Sequence, residues 1–350
     1  MFFKTIILVP NPNLSGGVSN YYQVAEKYFS ENVKYVYFNS KYPTGFLKLI
    51  LNILYLLKTI LIIGFCFPKK VVVNPSLNKV AFIRDGLLVL YSLLFLKETI
   101  VFWRGWNPDN ESIFQNKFLY KLFKLSYKKA NKNIVLNSHV KQKLVKLGIC
   151  ESRIYLTNTL VDDSYLAINT NFNEDSFNIL FLTRIEKYKG IYETLEIFKQ
   201  LNFKNAELHI AGDGNELENV KKKVIQEKIN NVKFFGHITG KEKVNVFKNA
   251  DVYLFPSYNE GMPNSVLEAM GIGLPVVCTN VGALKDFFID GEMGFKNDLP
   301  ININTFADNL KSLYLNEDLK RTISRNNKNF AQNTFLASNS IKKLEKLLNT

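Results

Sequence analysis

The stretch DVYLFPSYNEGMPNSVLEAMGIGLPVV, residues 251–277, decides the fold. Its run Val252–Phe255 is apolar and β-leaning, the pattern of a core strand in a parallel sheet. Pro256, Ser257 and Asn259 end that strand. Pro263 suits a first helical turn, where its missing N–H would have no partner in any case. The helix carries Glu268 in its early part and stops near Gly271–Gly273, after which a second strand begins. Backbone N–H groups at such a helix start make an anion site. Glu260 before the helix and Glu268 within it flank whatever anion sits there.

The segment resembles the E-x7-E motif of retaining GT-B glycosyltransferases of family 4, the glycogen-synthase-like group. The neighbours fit as well: Pro256-Ser257 before the first Glu, Glu268-Ala269-Met270 around the second, then Leu274-Pro275-Val276-Val277. Two Glu at this spacing alone are weak, because chance supplies them often. Set in strand, turn, helix and strand, they are specific. The plain alternative is a polar loop and a surface Glu on a doubly wound domain.

Upstream, Asn178–Leu182 is a strand, and Arg184 and Lys189 follow it five apart with Gly190 next. They match the family's R-x4-K-G signature, though a surface ion-pair loop would look similar in isolation. A nucleoside diphosphate leaving group gathers negative charge, which fixed cations in a dry site stabilise. Further strand-and-glycine turns follow at Gly212-Asp213-Gly214 and Gly236-His237-Ile238, and later glycines stand at Gly282 and Gly291–Gly294.

The resemblance implies an α/β GT-B fold, two Rossmann-like domains with parallel sheets facing a central cleft. Residues 1–168 would be the acceptor domain and 169–334 the nucleotide-sugar donor domain, with a last helix at about 335–350 packing back on the first. The Asn-rich stretch 167–177 is the linker candidate. The implied roles are diphosphate binding by Arg184 and Lys189, and ribose hydroxyls on Glu268. Glu260 and the backbone of Gly261, Met262, Pro263, Asn264 and Ser265 would hold the donor's sugar and phosphate. His237 and Ile238 would meet the base. Gly16 and Gly17, in a turn between the first strand and a helix running to about Phe29, would face the donor across the cleft. Arg104 stands where the family often carries a His-Gly, which leaves sugar specificity open.

Composition bounds the remainder. The chain has 350 residues, 47% of them hydrophobic, and a formal net charge of +14. That length fits two domains. Residues 1–170 hold 22 Lys/Arg against 9 Asp/Glu, whereas residues 171–350 hold 23 against 22. One-sided basicity points to an anionic partner. Cys66, Cys150 and Cys278 lie in apolar stretches and are expected as small core residues in a reducing compartment. The N-terminal apolar run is too short for a signal peptide, so a cytoplasmic location is expected.

Residues 46–67 are the most hydrophobic stretch. Lys58 would fall near the middle of a membrane span, and Lys48, Asn52, Tyr55 and Thr59 form one helical stripe. A largely buried helix is expected, and likewise for residues 86–97. Residues 117–132 place Lys117, Lys121, Lys124, Lys128, Lys129 and Lys132 at helical spacing among Phe and Leu. Such a basic amphipathic helix is the pattern of a membrane-surface element, peripheral at the inner face of the membrane. The plain alternative is a helix with a solvated Lys face. Ser138 is the expected cap of the helix 140–147, and residues 305–350 are expected as two amphipathic helices.

The expected function is retaining hexosyl transfer from a nucleotide sugar, a UDP-sugar, to a glycan or lipid-linked acceptor in polysaccharide biosynthesis. No metal is expected, since the sequence has no Asp-x-Asp pair. No nucleic-acid partner is expected either. The alternatives are a nucleotide-sugar 2-epimerase of related architecture, whose acid/base set is not evident, and a non-catalytic basic membrane-binding module.

Overall fold

A computed structural model describes residues 4–11, 17–30, 33–38, 46–65, 68–172 and 176–349. The chain divides into two compact units, Met1–Leu160 with Ala337–Thr350, and Val161–Leu336. Each holds one sheet of six parallel strands. The expected linker, 167–177, lies within the second unit; the chain changes unit at Leu160–Val161 and again at Leu336–Ala337.

The first unit runs β1 (Thr5–Pro10), α1 (Gly17–Ala25), β2 (Val33–Phe38), α2 (Phe46–Phe65), β3 (Lys70–Val73), α3 (Lys79–Leu94), β4 (Glu98–Trp103), α4 (Lys117–Leu125), β5 (Lys132–Val135), α5 (Ser138–Lys146) and β6 (Ile154–Leu156). Strand order is β2-β1-β3-β4-β5-β6. Ile6–Val9, Val71–Val73 and Ile100–Trp103 are buried on both faces, as a parallel sheet covered by helices on each side requires. Two of the unit's largest buried polar side chains find partners. Trp103 Nε1 donates to Asn133 Oδ1 at 2.9 Å, and the Tyr127 hydroxyl donates to the Phe82 carbonyl at 2.7 Å.

Several local expectations change. The basic segment 117–132 is not one helix. It breaks at Ser126, Tyr127–Lys129 is a single tight turn, and Lys132 already belongs to β5, buried against Glu98 at 2.8 Å. The cap of α5 is Asn137, whose side chain accepts from the Val140 amide, one residue earlier than Ser138. α1 stops at Ala25. Cys278 is buried, but Cys150 is exposed in a turn, and Cys66 lies outside the described residues.

The largest correction concerns α2. Tyr55 and Thr59, from the polar stripe, face inward at 8% and 0% exposure, while Leu54, Leu57, Leu61 and Phe65 face out. Residues 94–96 at the end of α3 are exposed as well. Periodicity correctly marks α2 as a helix, but both of its sides carry apolar residues: Leu56, Ile60 and Ile62 pack on the core while Leu54, Leu57 and Leu61 face out. Among the described residues no helix is long and apolar enough to cross a membrane.

The second unit runs α6 (Asp163–Leu166), β7 (Phe177–Leu182), α7 (Ile191–Leu201), β8 (Ala206–Ala211), α8 (Leu217–Gln226), β9 (Val232–Gly236), α9 (Gly240–Lys248), β10 (Val252–Phe255), α10 (Asn264–Ile272), β11 (Val276–Thr279), α11 (Leu284–Phe287), β12 (Gly294–Asn297), α12 (Ile303–Leu315) and α13 (Glu317–Thr334). α14 (Ala337–Asn349) then belongs to the first unit, so the tail holds three helices, not two. Strand order is β12-β11-β10-β7-β8-β9. Lys320 of α13 is buried against Asp251 at 2.9 Å, and the other Asp251 oxygen accepts from the Asn178 amide at 2.9 Å. This pair pins α13 to the entry of β7 and β10.

Removing one partner of a buried ion pair strands the other charge. Lys320→Ala is therefore expected to lower unfolding free energy by about 3–5 kcal/mol. Lys311→Ala, at the exposed pair with Asp308, should cost less than about 1 kcal/mol. Urea unfolding midpoints measure both.

Candidate active site

In open parallel sheets a ligand crevice forms at the carboxyl ends of the two strands where the order reverses. In the second unit that place is between β7 and β10, which pair Ile179 with Val252 and Leu180 with Tyr253. The loop after β7 carries Arg184 and Lys189, and the loop after β10 carries Glu260. The sequence pattern and the topology thus meet at one point. The Tyr253 hydroxyl donates to the Leu182 carbonyl at 2.7 Å and joins the two strand ends.

There Lys189 Nζ lies 2.5 Å from Glu260 Oε1, with both side chains 10% exposed. The same Glu260 oxygen accepts from Ser257 Oγ at 2.8 Å. Ser257 is itself held, since its carbonyl accepts from Thr279 Oγ1. Arg184 is exposed and bonds to the Tyr188 hydroxyl. Its guanidinium and the Lys189 ammonium lie 5.7 and 5.1 Å from the centre of the Tyr188 ring. Two cations therefore gather around one aromatic ring, within reach of a single diphosphate. Tyr188 also lines an open depression of about 680 Å³ with Lys187, Tyr192, Glu193 and Tyr258.

Glycines set these loops because nothing else fits. Gly190 has φ +78°, and a Cβ there would sit 1.9 Å from the Pro256 carbonyl oxygen. That close approach brings Lys189 to the β10 loop. Gly282, with φ +56°, lies under the Glu260–Gly261 turn, and a Cβ there would be 2.5 Å from both their carbonyl oxygens. The Ala283 amide then donates to the Gly261 carbonyl at 2.8 Å.

Helix α10 starts at Asn264, so Pro263 is its cap residue and not part of its first turn, and Pro263 itself has no side-chain oxygen with which to cap it. The Val266 and Leu267 amides both turn back to the Pro263 carbonyl. Met262 and Pro263 are buried and support the turn. Ser265 touches the Tyr253 hydroxyl, and burial holds that phenol far above its usual pKa, with Glu268 and Glu260 both adding to the rise. The two carboxylates therefore share one neighbourhood. Glu268 Oε2 lies 2.7 Å from Lys243 Nζ of α9, without the alignment of a hydrogen bond. His237 is exposed beyond β9, whereas Ile238 is buried.

In the first unit, Arg104 follows β4. Its guanidinium stacks 3.4 Å from the centre of the Tyr21 ring of α1 and donates to Thr159 Oγ1 at 3.2 Å. Its Nε and Nη1 groups are buried without a hydrogen-bond partner, and burial depresses its pKa below the ordinary guanidinium value. Gly17 opens α1, and among the described residues no atom lies within 4 Å of where its Cβ would be. Gly16 lies outside the described residues.

The family model for glycosyl transferases group 1 matches residues 166–330, nearly all of the second unit. That unit is a group 1 glycosyltransferase domain. The chain is 26% identical over 267 residues to the capsular polysaccharide biosynthesis glycosyltransferase CapM of Staphylococcus aureus, covering 71% of this chain and 69% of that protein. It is 25% identical to the uncharacterized glycosyltransferase MJ1178 of Methanocaldococcus jannaschii, covering 46% of this chain and 45% of that one. Among solved structures it resembles Anabaena Alr3699/HepE in complex with UDP and glucose, with a TM-score of 0.79 at 14% identity over 99% of this chain and 100% of that one. The likeness shows a GT-B fold, and the chain is a glycosyltransferase by its domain and its relatives.

Sequence reasoning missed Tyr188, Ser257, Thr279 and Lys243. The first lies inside the R-x4-K spacing, where it looked like filler, and Lys243 has no spacing signal at all. The glycines make a sharp comparison. Gly190→Ala should unfold at a markedly lower temperature, because its Cβ meets backbone. Gly236→Ala, with φ +66° but open space around it, should cost only about 1–2 kcal/mol. Thermal midpoints of the two variants test this.

Proposed function

We propose that the chain is a retaining, metal-independent hexosyltransferase that uses a UDP-sugar and extends a lipid-linked or cell-surface glycan precursor. The observation that carries the reading is the convergence of Arg184, Lys189 and Glu260 at the β7/β10 reversal, beside the N-terminal end of α10. The relative CapM is named for capsular polysaccharide biosynthesis, and the Anabaena neighbour was solved with UDP and with UDP-glucose. Both favour this donor and this setting.

In the proposed mechanism the donor diphosphate draws Lys189 and Arg184 and lies on the N-terminal end of α10. Lys189 is then shared between Glu260 and phosphate, and Glu260 accepts hydrogen bonds from the sugar hydroxyls. Glu268, steadied by Lys243, accepts from the ribose. The bond from the anomeric carbon to the phosphate oxygen breaks as the acceptor oxygen bonds the same face. The acceptor's proton passes to the leaving phosphate oxygen. The cations and helix dipole carry the growing negative charge, the task a metal performs elsewhere. The basic residues of α4 would hold the first unit at the anionic inner face of the membrane, where a lipid-linked acceptor is found.

Lys189 cannot be cut alone without stranding Glu260, so the informative variant is Lys189→Met with Glu260→Gln. It should stay folded and lose about 10²–10³-fold in UDP-sugar turnover. Retained activity within a few-fold rejects the donor site. Turnover should survive EDTA; loss that Mn²⁺ restores rejects metal independence. Thermal shifts against a nucleotide-sugar panel identify the donor.

A further inference from the structure

A helix lying on a sheet and facing water should turn its apolar side inward. α2 buries Ile63 and packs Leu56, Ile60 and Ile62 on the core, but its outward side is apolar too. Ile50, Ile53, Leu54, Leu57, Leu61 and Phe65 are all exposed, Phe65 at 74%. At 3.6 residues per turn these positions fall on a single face. Tyr55, Thr59 and Ile63 occupy the other and are buried.

Exposed apolar side chains extend beyond one helix, although α3 and α4 bury Phe82, Leu88, Val89, Leu119, Leu122 and Phe123 in the ordinary way. α3 packs beside α2, close enough that a Cβ on Gly64 would sit 3.1 Å from the Tyr91 hydroxyl. On its other side α3 meets α4, where a Cβ on Gly86 would be 3.0 Å from Leu122. Leu87 and Leu94 of α3 are exposed seven residues apart, and so are Phe118 and Leu125 of α4. Three adjacent helices therefore present one apolar surface, and an exposed patch of that kind marks a docking face.

Charge says what docks there. α2 and α4 contain no Asp or Glu, and the one acid of α3, Asp85, is buried against Arg84 at 2.7 Å. Lys58 on the exposed side of α2, and Lys117, Lys121 and Lys124 on α4, are exposed. Within the boundaries of the first unit stand 25 Lys/Arg against 8 Asp/Glu, a net +17, and the second unit holds 20 against 23, a net −3. The cores of protein interfaces are enriched in Tyr, Trp, Phe, Met and Arg and depleted in Lys. A face dominated by Leu and Ile, with Lys and no acids, matches a different partner.

We propose that α2, lying in the plane of an anionic bilayer, is the main inserting element of this protein, with α3 beside it and the lysines of α4 on the headgroups. The inference rests on the reading of the first unit as membrane-facing, and moves its centre from residues 117–132 to residues 50–65. An in-plane helix with its apolar side in the acyl boundary needs no span.

The test uses the full chain with vesicles of phosphatidylcholine alone or mixed equally with phosphatidylglycerol. Wild type should sediment with the mixed vesicles, and part of it should stay bound at high salt. The variant Leu54→Ser/Leu57→Ser/Leu61→Ser, all exposed positions, should lose that salt-resistant part by more than about tenfold. The variant Lys117→Gln/Lys121→Gln/Lys124→Gln should lose the salt-sensitive part instead. Wild type left in the supernatant with every vesicle overturns the proposal, as does a leucine variant that binds like wild type. A wild-type dimer by light scattering that the leucine variant dissolves, without vesicle binding, shows a second copy on this face and also overturns it. UDP-sugar hydrolysis without vesicles is measured in parallel. Vesicle binding without hydrolysis rejects the glycosyltransfer reading alone, and hydrolysis without vesicle binding rejects the membrane reading alone.

Discussion

The ion pair between Lys189 and Glu260 is the constraint on which the second unit's strand-end loops depend. Its members come from loops on either side of the strand-order reversal, so the pair fastens the two halves of the sheet at the carboxyl ends of β7 and β10. Gly190 is there to bring Lys189 over Pro256, and Gly282 to let the Glu260 turn lie flat. Ser257, Thr279 and Tyr253 hold the strand ends at fixed spacing. Because both charges are nearly buried, removing either one strands the other.

Much of that was legible in the sequence, for a physical reason. Arg184, Lys189, Glu260 and Glu268 sit at fixed offsets from strand ends, and offsets survive in one dimension. Apolar runs also marked the strands, because both faces of these sheets are buried. Lys243 was invisible because it reaches Glu268 from another helix, at no constant spacing. The break at Ser126 was missed because the lysine period continues through it, although the backbone does not. Cys150 has apolar neighbours in sequence and yet lies in an exposed turn. α2 is the instructive case. A periodic stripe reports that a helix has two faces, but only the packing of Tyr55 and Thr59 against the sheet shows which one is inside.

The two units differ more in surface than in fold. Both are six-stranded parallel sheets with a reversal near the first strand. The net charge of one is strongly positive and that of the other slightly negative. Arg104, whose Nε and Nη1 have no hydrogen-bond partner, adds a further positive centre to the first. A shared scaffold thus carries opposite electrostatic assignments, and the difference lies almost wholly in outward positions that the fold leaves free.

The last helix has a consequence for how the chain is made. α14 belongs to the first unit, where the Glu345 carboxylate accepts from the Ser30 amide at 2.6 Å and from its hydroxyl at 2.9 Å. Residues 161–336 are therefore an insertion, contiguous and able to close their own sheet as they leave the ribosome. The first unit begins earlier but waits for residues 337–349 before it can bury Ile341, Leu344 and Leu348. During synthesis the later-coded unit is complete first, and the apolar face of α2 belongs to the part that stays unfinished longest.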